Sequence, residues 1–165
     1  MNDDADPTLP TGPRRWLPTG LLLAATAWLL VVFPSLSAEV ALHYDLRGQA
    51  TDVGARAQLL VLPAVGLLLD LLLKIVGALA AQRPELVALP VKLTADNRAR
   101  VLGLTQGCCG FLRAAVAVFF GLLIVSCTEG ARTGVLLVSP AVLGAWPAVV
   151  VVGLAGYVVA MRRAA

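Results

Sequence analysis

Residues Ala57–Ala81 read AQLLVLPAVGLLLDLLLKIVGALAA, twenty-five residues interrupted only by Asp70 and Lys74. About 20 predominantly apolar residues in a helix, at ~1.5 Å rise each, cross the ~30 Å hydrocarbon core of a bilayer. Three further stretches match this one. Trp16–Ala38 carries no charge, Val101–Thr128 carries only Arg113, and Thr133–Met161 carries none. Buried helices of soluble proteins are rarely so long and so apolar on every face. The chain therefore reads as an all-α integral membrane protein, a four-transmembrane-helix bundle with helices at 16–38, 57–81, 101–128 and 133–161.

Composition agrees. Of 165 residues, 59% are hydrophobic and 14% charged, with a mean hydropathy of +0.85. A soluble domain carries roughly 25% charged residues, so a water-facing surface of this size is not covered. The net charge of +3 is dispersed, without the Lys/Arg cluster that nucleic acid requires. Residues 1–15 are polar and Pro-rich and read as a disordered cytoplasmic tail. Arg14 and Arg15 before an apolar run resemble a secretory signal, and Ser35-Leu36-Ser37 a cleavage site. The run exceeds the usual ~7–15-residue signal core, which favours a retained anchor.

Positive charge sets the expected orientation. Arg14, Arg15, Arg83, Lys92, Arg98, Arg100, Arg162 and Arg163 fall on one side, against Arg47, Arg56 and Arg132 on the other. Both termini are therefore expected in the cytoplasm of a plasma (inner) membrane, with a structured extracytoplasmic loop at 39–56 between helices one and two. Tight turns are expected at Arg47-Gly48 and at Glu129–Arg132. Thr94 or Asp96 is expected to cap helix three, and Asp52 to cap or accept donors at the start of helix two.

The outward loop, EVALHYDLRGQATDVGAR over 39–56, carries the most specific pattern. Its His43, Tyr44, Gly48, Asp52 and Arg56 resemble the membrane family called domain of unknown function 1648, known through SdpI-like toxin-immunity proteins. That pattern is His-aromatic, then Gly, then Asp, then a basic residue before the next helix. Pro63 also fits it. Ala41 stands where Pro is usual, Asp45 where Asn is usual, and Arg56 where Lys is common. The resemblance covers roughly residues 34–70, one supersecondary unit. It implies a multi-helix bacterial membrane protein and, in the characterised branch, protection from or sensing of an exported peptide.

The remaining signals lie within the bilayer. A central charge costs ~2.5–3.5 kcal/mol on insertion scales, and each Leu, Ile or Val returns ~0.3–0.6 kcal/mol. Helix two holds fourteen Leu, Ile and Val residues between Leu59 and Leu79. Their roughly 4–8 kcal/mol only matches the roughly 5–7 kcal/mol of Asp70 with Lys74. Pairing is expected: Asp70 with Arg113 near mid-membrane, Lys74 closer to the cytoplasm. The structural reading is a latch between helices two and three; the functional one is a proton or ion path. Gly103, Gly107, Gly110, Ala114, Ala117 and Gly121 recur every three or four residues, as an internal packing face or a homodimer face.

Cys108 and Cys109 lie ~27 Å along the helix from Cys127, too far for a bridge. His43 with Glu39, Asp45 and Asp52 is a weak metal pattern beside a hydrogen-bonded loop organiser. No nucleophile elbow, phosphate loop or paired-Cys motif occurs, so no enzyme, catalytic residue, metal or cofactor is expected. The expected partners are the lipid bilayer and an extracytoplasmic peptide, lipid or membrane protein, with no nucleic acid. Sensing or immunity is the leading role. A small transporter using Asp70, Lys74 and Arg113, and a structural subunit of a membrane complex, are the alternatives.

Overall fold

The computed structural model describes residues 13–45, 47–134 and 136–164. The first helix, α1, spans Leu17–Val32 after a short 3-10 turn at Pro13–Trp16. A β-hairpin follows, β1 at Glu39–Tyr44 and β2 at Ala50–Ala55. Then come α2 at Val61–Gln82, α3 at Arg98–Thr133 and α4 at Pro140–Arg162. The tail expected to be disordered lies largely outside the described residues.

Four helical segments are long and apolar enough to cross a membrane. Their outward faces carry Leu23, Val31, Leu68, Leu71, Val151 and Val152, all exposed. An apolar exterior this extensive is unusual for a soluble monomer and suits lipid. The interior holds buried polar groups: Asp70, Arg113, Thr105, Ser126 and Thr128. Ser and Thr are tolerated there because their hydroxyls find backbone partners. Thr105 donates to Val101 O at 2.9 Å and Thr128 to Ile124 O at 2.6 Å. The chain is a membrane protein.

The all-α expectation needs correcting at the 39–56 segment, which is a two-stranded antiparallel sheet. Val40 on β1 is buried against α1, Leu59 and α3, while the neighbouring strand residues point away. That alternation suits a strand with one face on the bundle. The cluster holding it comprises Ala25, Leu29, Val32, Leu36, Val40, Leu59, Ile124 and Cys127. It ties α1, the hairpin and the start of α2 to the C-terminal half of α3.

Other boundaries shift for local reasons. The expected turn at Glu129–Arg132 is the last turn of α3. Thr133 donates to Glu129 O at 2.8 Å, and Arg132 reaches Glu129 at 3.5 Å. The helix stops at Gly134, whose φ of 77° no β-branched residue adopts easily. The fourth helix begins later than expected, at Pro140, where Ser139 Oγ accepts from Ala141 N at 3.3 Å. Neither Thr94 nor Asp96 caps α3. Asn97 holds that position, and its backbone and side chain exchange two bonds with Thr94, at 2.8 and 3.3 Å.

The small-residue stripe on α3 divides between two environments. Ala117 and Gly121 are buried, with Gly121 close to Leu21 of α1. Gly107, Gly110 and Ala114 are exposed, and a Cβ at Gly103, Gly107 or Gly110 would meet nothing within 4 Å. The expected single packing face is therefore corrected: α1 covers only the half of α3 nearer the hairpin, so the stripe outlasts its partner. The fourth helix leans on α3 through Trp146, whose Nε1 donates to Ala115 O at 3.1 Å, and through a stacked Phe119–Trp146 pair.

Candidate functional site: an anchored hairpin above a buried charge cluster

The hairpin is built by the residues that carry the sequence pattern. Asp45 Oδ1 accepts from the backbone N–H of Arg47 at 2.8 Å and of Gln49 at 2.9 Å. Gly48 closes the turn with φ 78°, donating to Asp45 O at 2.9 Å. An Asn oxygen at this position would accept the same two bonds. Asp45→Asn is expected to leave thermal stability nearly unchanged. Asp45→Ala should cost about 1 kcal/mol, read from thermal melts in detergent.

Arg56 fastens the hairpin to the end of α1. Its Nη1 donates to Leu36 O at 2.8 Å and Phe33 O at 3.4 Å, and the guanidinium lies 5.0 Å from the Phe33 ring centroid. Tyr44 fastens it to α3. A Cβ at Gly130 would lie 2.6 Å from the Tyr44 hydroxyl, so glycine there lets the ring sit against the helix. Burial pushes the Tyr44 phenol above its usual range, with nearby Cys127 adding to the effect.

Two residues of the pattern remain turned to solvent. His43 and Asp52 face each other across the strands, Nδ1 to Oδ2 at 3.1 Å, with side chains 72% and 61% exposed. Asp52 thus pairs with His43 rather than capping α2. Glu39 and Asp45 stay apart from the pair. Among the described residues no group of three His, Cys, Asp or Glu side chains is placed to hold a metal ion.

The charge cluster lies between α1, α2 and α3. Asp70 is 1% exposed. Arg113 Nε donates to its Oδ1 at 2.7 Å, while Thr19 donates to Oδ2 at 2.5 Å. Arg113 Nη2 also reaches Thr19 Oγ1 at 3.3 Å. Lys74 Nζ lies 3.6 Å from Asp70 Oδ2 and 4.2 Å from the Trp16 ring centroid. Among the described residues no buried side-chain nitrogen or oxygen lacks a partner. The desolvation cost of the carboxylate is thus offset from three helices at once.

Sequence spacing places Asp70 opposite Arg113 but says nothing of Thr19 and Trp16. Thr19 is the one hydroxyl in the first turn of α1, and a lone polar residue opening an apolar helix is the signal that points to it. Its position also shows how α1 is offset from α2. The cluster is central in α2, about 18 Å from Gln82, yet level with the very start of α1. The first helix is displaced toward the hairpin, and the half of α2 remote from the hairpin packs on α3, with Gln106 donating to Gly77 O.

Residues 20–67 match the family model for a domain of unknown function (DUF1648). The matched span runs from α1 through the hairpin into α2, and Asp70, Lys74 and Arg113 lie beyond it. No curated protein and no solved structure matches the chain. The match thus covers the segment in which the hairpin is built, less than a third of the chain.

Proposed function

We propose that this membrane protein is a sensing or immunity-type protein. Its hairpin, on the extracytoplasmic face of the plasma membrane, contacts a peptide, lipid or membrane partner. The observation that carries this reading is the division of labour within the hairpin. Tyr44, Asp45, Gly48 and Arg56 are spent on holding its shape, whereas His43 and Asp52 are presented outward on a small sheet tied to two helices. A recognition surface benefits from this, because a pre-ordered loop loses less entropy on binding. The excess of Arg and Lys at the opposite end supports an outward hairpin with both termini in the cytoplasm. The matched family span contains the hairpin and leaves out the charge cluster. Asp70 is enclosed by Arg113, Thr19 and Lys74, which supports a latch rather than a carrier of protons or ions.

The test has two parts. Asp52→Cys in intact cells should react with a membrane-impermeant maleimide; labelling only after permeabilisation overturns the orientation. In the encoding species, a deletion strain grown in its own conditioned medium should regain wild-type survival with the native chain and with Asp70→Asn/Arg113→Gln, in which no buried charge of the pair is left alone. His43→Ala/Asp52→Ala should fail to restore it while reaching normal membrane levels. Full rescue by the hairpin variant, with loss in a normally expressed Asp70→Asn/Arg113→Gln, would favour transport instead.

A further inference from the structure

On the half of the bundle that α1 leaves uncovered, α3 and α4 part around an open groove of about 580 Å³. Gly103, Gly107 and Phe111 form one wall, Gly153, Gly156 and Tyr157 the other. A Cβ at Gly103, Gly107 or Gly156 would meet nothing within 4 Å, so at these three positions the glycines leave open space rather than a contact. The Phe111 ring sits on Gly153, where a Cβ would collide with it, and beyond this ring a second apolar cavity of about 430 Å³ runs along Val149 and Val152. With Phe111 as a low saddle between them, the two stretches form a trough along the helix pair for roughly 18 Å. Its inner mouth is formed by Arg100, which is exposed and pairs with no carboxylate among the described residues. Arg162 and Arg163 end α4 at the same level, where Met161 and Ala164 pack on Val101.

We propose that this trough seats one acyl chain of an anionic phospholipid, with the lipid phosphate on Arg100. An apolar slot along the membrane normal takes a hydrocarbon chain. A basic residue at its cytoplasmic mouth takes a negative headgroup, as basic pockets between membrane helices do. A second copy of the chain fits less well. Copies inserted in the same direction meet about a two-fold axis along the membrane normal. That axis would oppose two concave faces and bring the two Arg100 side chains together.

The test is native mass spectrometry of the purified full chain, titrated in detergent with phosphatidylglycerol or phosphatidylcholine. The wild type should retain phosphatidylglycerol about five-fold better, the worth of one Arg near an anionic surface. Arg100→Gln should abolish the preference and keep residual binding of both lipids. Gly107→Leu should plug the trough and lose both, with an unchanged melting curve because its Cβ enters open space. Gly103→Leu repeats the plug if Gly107→Leu does not yield folded protein. Equal retention of the two lipids by the wild type overturns the proposal. So does a preference that survives Arg100→Gln, retention that survives the plug, or a wild-type dimer that the plug converts to monomer.

Discussion

Arg113→Gln is expected to lower the stability of the fold sharply, because it strands a carboxylate that is 1% exposed among three helices. Breaking one partner of a buried pair typically costs about 3–5 kcal/mol, a large share of the roughly 5–15 kcal/mol that holds a domain folded. Thr19 and Lys74 still reach Asp70, at 2.5 and 3.6 Å, so the loss falls toward the lower part of that range. Asp70→Asn should cost at least as much: the amide oxygen still accepts from Arg113, but Arg113 and Lys74 are left as two neighbouring cations without an anion. The double variant Asp70→Asn/Arg113→Gln replaces the ion pair by two amides able to bond each other and Thr19. It should recover most of the loss, in detergent melts and in membrane expression. A double variant as unstable as the sum of its parts would show that Asp70 and Arg113 are not coupled in the membrane.

The second large effect is expected at the hairpin's seat on α3. Gly130→Ala places a Cβ 2.6 Å from the Tyr44 hydroxyl and 3.0 Å from Leu136, closer than packed carbon atoms tolerate. Overpacking of this kind costs about 1–3 kcal/mol. Here the strain is relieved most cheaply by lifting the hairpin away. Lifting exposes Cys127, which is buried in the shared cluster. Reaction of Cys127 with a small maleimide should therefore accelerate in Gly130→Ala. Cys108 and Cys109, at the far end of α3, serve as internal controls. Tyr44→Phe removes the nearest clashing atom, so Gly130→Ala/Tyr44→Phe should return Cys127 toward wild-type protection. Unchanged Cys127 reactivity in Gly130→Ala would show that Tyr44 does not hold the hairpin against α3.

The same two places separate what can be read along the chain from what cannot. Four spans follow from runs of apolar residues, because a bilayer demands length and hydrophobicity and little else. The Asp70–Arg113 pairing follows from helix arithmetic and the cost of an isolated charge in lipid. The family pattern is legible because His43, Tyr44, Gly48, Asp52 and Arg56 keep fixed intervals. Asp45 and Gly48 reveal a turn because the torsions and donors they serve are local.

Contacts between distant segments required the folded chain. Thr19 and Trp16 join the charge cluster only because α1 is displaced toward the hairpin relative to α2 and α3, and no interval along the chain encodes that offset. The displacement also divides the small residues of α3 into a packed set near the hairpin and an open set remote from it, although they recur regularly. The hairpin's pairing of His43 with Asp52, and its seat on Gly130, likewise depend on register and on a helix more than seventy residues away. Periodicity and transfer energies are properties of a segment, and they determined the spans. Offset, register and docking are properties of surfaces meeting, and only the tertiary structure decided them.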